Sequence, residues 1–241
     1  IIYAERIQKA ILPSDKNLKK VIKNSFVFYQ PKDIVAGDFY WMETIGEHKF
    51  IAVADCTGHG VPGAIVSVIC HNALNRSVRE YGLRDPALIL NKARNIIVEE
   101  LNRNEEEEVK DGMDIALCVI KGDKLKFAGA NNPLYYVRNG NLNIIHGDKQ
   151  PVGKHHKMDA FSSKDLKLMK GDLIYLFSDG FADQFGGDKG KKYKSVKFKK
   201  FLLSISEMPI DQQEYLVKVE FTDWLGLNDQ IDDVCVAGFQ V

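Results

Sequence analysis

Apolar and polar positions alternate along SFVFYQPK and again over residues 36–45, and KFIAVAD, Lys49 to Asp55, is a third such run that stops abruptly at TGHG. A period of two puts successive side chains on opposite faces, so each run predicts a strand. After TGHG the period changes. Pro62 stands where a first helical turn tolerates proline, and Ala64 to Tyr81 is apolar at helical spacing. Ile65, Val68, Ile69, Ala73 and Leu74 form the stripe expected to face the core. Asp85 before Pro86 reads as an N-cap with proline at N1, opening a second helix to about Asn102. The acidic run Glu105–Glu108 then reads as a solvated turn.

Strands dominate the middle of the chain: MDIALCVI, LKFAGA, PLYYVR and LNIIH. Asn139-Gly140, between the last two, signals a type I′ hairpin, whose two central residues both need positive φ. Leu166–Met169 and Asp172–Phe177 flank a further turn at Lys170-Gly171. Helices are expected over 195–206 and 209–225, and a closing strand from Asp233. Strands joined by short turns, with helices arriving in pairs, predict a layered α+β sandwich rather than a doubly wound parallel sheet. At the N-terminus Ala4, Ile7 and Ile11 recur at helical spacing until Pro13. Residues 1–13 thus read either as the end of a longer helix from an upstream sensor region or as a local helix packed on its own domain. Residues 14–241 read as one domain.

Charge narrows the function classes. Lys+Arg and Asp+Glu are equal at 33 in 241 residues, so the formal net charge is zero. The basic excess expected of a nucleic-acid or membrane-surface binder is missing. No apolar run approaches the ~18 residues of a membrane span. The 4 cysteines contain no CxxC pair, which suits a reducing, cytoplasmic setting.

The candidate chemistry lies in aspartates at strand ends. Asp38 in VAGDFYW, Asp55 in IAVADCTGHG, Asp179 in LIYLFSDG and Asp232 in QIDDVCVAGF each sit where a strand starts or stops beside glycine or a turn. One such carboxylate is an ordinary cap. Several gathered from different strands without matching cations would repel strongly, and a positive group is then needed to neutralise them. Oxygen-only donors select hard cations, Mg²⁺ or Mn²⁺, and a pair of such ions can activate water for attack on phosphorus.

VAGDFYW, VADCTGHGVPGA, LFSDGFADQFGG and DDVCVAG occur here in the order found in bacterial metal-dependent protein phosphatases. The chain resembles the SpoIIE/RsbU-like branch of the type 2C serine/threonine phosphatase superfamily from about residue 24 onward. The resemblance implies a four-layer α-β-β-α sandwich with two antiparallel sheets and two Mn²⁺ or Mg²⁺ ions at the sheet edges. By motif, Asp55 would bridge both ions and the Cys56 carbonyl would bind one. Asp179 and Asp232 would complete the other shell, and Asp38 would hold a metal-bound water. The implied substrate is a phosphorylated regulatory protein of the anti-sigma-antagonist kind. The chain departs from the family pattern at Trp41, where an aspartate is frequent, at AGANNP (128–133) in place of NAGH, and at Ala182-Asp183 in place of Thr-Glu. These changes spare the proposed ligands.

Other motifs compete for attention. Gly58, Gly60 and Gly63 spell GxGxxG, but Asp55 at the strand tip would repel a pyrophosphate, so the glycines read as a tight turn beneath a metal. Cys70 and Arg76 fit Cx5R, yet the intervening residues are helical and Cys70 reads as a packed or semi-exposed thiol. His59, close to Asp55 in sequence, is a candidate proton donor to the leaving serine oxygen, or a histidine that holds the loop. His155-His156 reads as an exposed loop, and the lysine-rich run 189–200 as a solvated helix face or a guide for an acidic substrate. The rival functions are a silent or autoinhibited phosphatase-like docking module and a metal-dependent phosphodiesterase.

Overall fold

The computed structural model describes residues 2–103 and 108–241. Of the acidic run, only Glu108 falls within them, and it is exposed. The alternating segments form two large antiparallel sheets. One orders β2 (Phe39–Ile45), β3 (His48–Cys56), β4 (Gly112–Lys121), β5 (Lys124–Ala130) and β9 (Lys164–Lys167), with the short β8 (Val152–Gly153) against β4. The other orders β1 (Ser25–Gln30), β13 (Val234–Gln240), β10 (Leu173–Phe177), β6 (Leu134–Arg138) and β7 (Asn141–Ile145).

Alternation decides which side chains meet. On β3, Phe50, Ala52 and Ala54 join the core beneath α3 (Gly60–Arg79) and α4 (Pro86–Leu101), whereas Ile51 and Val53 lie between the sheets. On β10, Ile174 and Leu176 face the other sheet, and Leu173, Tyr175 and Phe177 pack under α6 (Ser195–Ile205) and α7 (Ile210–Leu225). These three cores define four layers, helix, sheet, sheet, helix, as the sequence predicts. Asp85 caps α4 by accepting from the Ala87 and Leu88 amides, and Asn139 and Gly140 have φ of 50° and 71°, the hairpin signature.

Several expectations need correction. The α3 stripe is rotated: Ala73 and Leu74 are buried, but Ile65 and Val68 are exposed, and Ala64, Val66 and Cys70 face the core instead. The Lys170-Gly171 turn closes no hairpin, because β9 belongs to one sheet and β10 to the other. Lysines 189–194 precede the helix, around a small hairpin of β11 (Phe185–Gly186) and β12 (Lys191–Lys192). The reading also missed α2 (Asp15–Val21), although Ser14 caps it by accepting from the Asn17 amide, and the one-turn α5 (Gly180–Asp183).

The N-terminal helix, α1 (Ile2–Ile11), does touch the domain, but through a polar residue. Gln8 is its buried position; it donates to the Ala36 carbonyl at 2.6 Å and accepts from the Ala36 amide at 3.0 Å. Ala4 and Ile7, two of the expected apolar contacts, are exposed.

Candidate active site

The strand register carries acids from several segments to one end of the sandwich. Phe39 pairs with Ala54, so Asp38 follows beside Asp55, and Asp55 itself pairs with Asp114 on β4. From the second sheet, Phe177 pairs with Val236, which sets Asp179, just past β10, near Asp232, just before β13. Asp55, Asp114, Asp179 and Asp232 line one cleft of about 330 Å³ together with Cys56, His59 and Lys110. Four of the sequence-predicted ligands, Asp55, Cys56, Asp179 and Asp232, therefore share a cavity. A larger cleft of about 400 Å³, between Ile11 and His71, gathers no comparable group of acids.

Asp38 lies behind this row, only 2% exposed, and its Oδ2 has no hydrogen-bond partner. Cys56 turns its thiol into the α3 core, leaving its backbone carbonyl as the candidate donor. The two neighbouring aspartates Asp232 and Asp233 divide their labour. Asp232 is half-buried on the cleft, whereas Asp233 is buried and accepts from the Lys32 amide at 2.8 Å and the Gly37 amide at 2.7 Å. Asp233 thereby fixes the loop that leads to Asp38.

The glycine-rich turn is held backbone to backbone. A Cβ on Gly63 would meet the Gly58 carbonyl oxygen at 2.1 Å, and one on Gly37 would meet the same oxygen at 2.3 Å. Gly58 also has φ of 84°, which glycine adopts freely. This close packing accounts for the GxGxxG spacing without any dinucleotide.

The cleft is electrostatically unbalanced. Burial, then repulsion from Asp38, Asp179, Asp232 and Asp114, pushes the Asp55 pKa up to about 10. Burial, followed by Asp183 and Asp232, raises Asp179, and burial raises Asp38 well above the carboxylate range. Acids that disfavour one another's charge to this extent suit a hard divalent cation, as does an oxygen-only donor set with one buried oxygen left unpaired. Among the described residues, no group of three His, Cys, Asp or Glu side chains closes into a ready coordination sphere.

His59 stands at the N-cap of α3 without capping it. The residue lines the cleft, with its Nδ1 lying 2.9 Å from Asp33 Oδ2 and its Nε2 3.1 Å from Lys32 Nζ. His155 and His156 lie side by side in a surface loop, their rings tilted by 44°, and Cys70 is fully buried in α3, away from any phosphate loop. Asp114, Asp33 and Lys110 were missed. Asp114 satisfies the same rule as the others, an acid at a strand end beside Gly112, and applying that rule to MDIALCVI would have found it.

The profile of the stage II sporulation protein E (SpoIIE) family matches residues 46–241. The SiaA-PP2C domain of Pseudomonas aeruginosa superposes with a TM-score of 0.89 at 30% identity, covering 100% of this chain and 95% of that one. The phosphoserine phosphatase RsbU of Bacillus subtilis is 29% identical over 160 residues, 64% of this chain; the match spans only 44% of RsbU. The PP2C phosphatase domain of Bacillus subtilis SpoIIE shares the fold, with a TM-score of 0.71 at 18% identity over 90% of this chain and 63% of that one.

Proposed function

Because the chain belongs to the SpoIIE family of PP2C-type phosphatases, we propose that it hydrolyses phosphoserine or phosphothreonine on a regulatory partner protein, using two Mn²⁺ or Mg²⁺ ions. The observation that carries this reading is the convergence of Asp55, Asp179 and Asp232, from both sheets, on one acid-rich cleft. These three carboxylates and the Cys56 carbonyl would hold the ions, which when bound supply charge for the phosphate and acidify water. Asp38, with its unpaired oxygen, orients water from behind the row. His59 gives a proton to the leaving hydroxyl oxygen.

The partner fits a phosphorylated regulator of the anti-sigma-antagonist kind, and the setting a cytoplasmic output domain governed by an upstream sensor, with dimerisation through α1. No described helix is long and apolar enough to cross a membrane. Phosphate release from a phosphoprotein, measured with Mn²⁺ and with EDTA, tests the reading. Turnover should require the metal and fall steeply in Asp179→Ala. Turnover that persists in EDTA contradicts it, and metal binding without any turnover would favour the silent docking module.

A further inference from the structure

The pairing of His59 with two residues of the β1–β2 loop goes beyond the proposed acid cluster, though it rests on the phosphatase reading. A carboxylate only accepts and an ammonium only donates. Asp33 Oδ2 at 2.9 Å from Nδ1 and Lys32 Nζ at 3.1 Å from Nε2 therefore select a single tautomer, with the proton on Nδ1. His59 lines the same cleft as Asp55, Asp179 and Asp232. The loop itself is anchored, since the Lys32 amide donates to Asp233 and the Ala36 amide to Gln8. Gly60, with φ of 62°, admits Asp33 so closely that a Cβ there would sit 3.1 Å from its carboxyl oxygen.

We infer that Asp33 is a positioning residue for His59, fixing its tautomer and aiming Nε2 at the leaving oxygen of a phosphoseryl or phosphothreonyl substrate. Lys32 turns from Nε2 to the incoming phosphate oxygens, and Nε2 takes a proton from solvent. As water forms its bond to phosphorus, the bond from phosphorus to the seryl oxygen breaks. The electron pair stays on that oxygen, which accepts the Nε2 proton and leaves as the alcohol. Asp33 faces the imidazolium throughout and then the neutral ring, which solvent reprotonates for the next cycle. Attacking water loses its own proton to solvent, so protons balance.

A leaving-group comparison tests the assignment. An alkoxide needs a proton to depart, whereas p-nitrophenolate does not. Asp33→Asn should lower kcat on a phosphoserine peptide by roughly 10- to 100-fold more than on p-nitrophenyl phosphate, as expected when a general acid is misaligned. Asp33→Glu should recover part of the difference. Combined with His59→Ala, Asp33→Asn should add little to the single loss, because the two act as one unit. Equal losses on both substrates, or independent losses in the double variant, would reduce Asp33 to a loop brace and overturn the inference. If the unaltered protein shows no metal-dependent turnover, the phosphatase reading fails instead, and the two failures are distinguishable.

Discussion

The two ends of β10 carry aspartates with opposite fates. Asp172, just before the strand, accepts two hydrogen bonds from Arg138, at 2.9 and 2.6 Å, and one from the Met169 amide at 2.8 Å. Burial alone would raise its pKa, but Arg138 and the amide overcome burial and hold it below the usual range. Asp179, just past the other end, faces Asp183 and Asp232 instead, and its pKa is raised. A structural carboxylate is given a cation by the chain; at the cleft the chain supplies further carboxylates. The difference marks which end of the sandwich is built to receive charge from outside.

Breaking the acid end should have the largest effect. Asp55→Asn or Asp179→Ala should cut Mn²⁺-dependent phosphate release by about 100- to 1000-fold, the range seen when a principal electrostatic stabiliser is removed. The adjacent pair near β13 sharpens the contrast. Asp233→Ala strands the Lys32 and Gly37 amides and should cost about 1–3 kcal/mol in chemical denaturation, whereas Asp232→Ala, which releases only the neighbouring Asp233 amide, should cost less stability and remove most of the activity.

A smaller, pH-dependent effect separates the two ends of β10. The Asp55 and Asp179 pKa values are raised on folding, so the folded state binds more protons. Their stabilising contribution is full below the unfolded carboxylate pKa, near ~3.9, and is lost as pH rises towards the folded values. With metal chelated, the Tm should therefore fall from mildly acidic to mildly alkaline pH, and Asp55→Asn should flatten that slope. Asp172 has the opposite sign: its pKa is depressed, so its contribution is present above the unfolded value and lost as pH falls through the folded one. Asp172→Asn should lower the Tm at neutral and alkaline pH and flatten its decline on the acid side, the smallest of these effects.

Much of the architecture was legible because period-two alternation and turn residues act locally. Asp85-Pro86 and Asn139-Gly140 each specify a local geometry almost alone. The α3 face was misread because Ile65 and Val68 are more apolar than Ala64 and Cys70, yet the latter two are the ones buried. Asp55, Asp179 and Asp232 were legible as strand-end acids; their meeting depends on register between segments far apart in the chain. Asp33 carried no such signal. Its role comes from a loop returning beside the N-terminus of α3, which only three-dimensional geometry reveals.

Mn²⁺ binding, followed by titration calorimetry on the unaltered protein and on Asp55→Asn, tests the shared cleft most directly. The account predicts two bound ions in the former and loss of at least one in the latter. Equal binding by both proteins, or none by either, would contradict it.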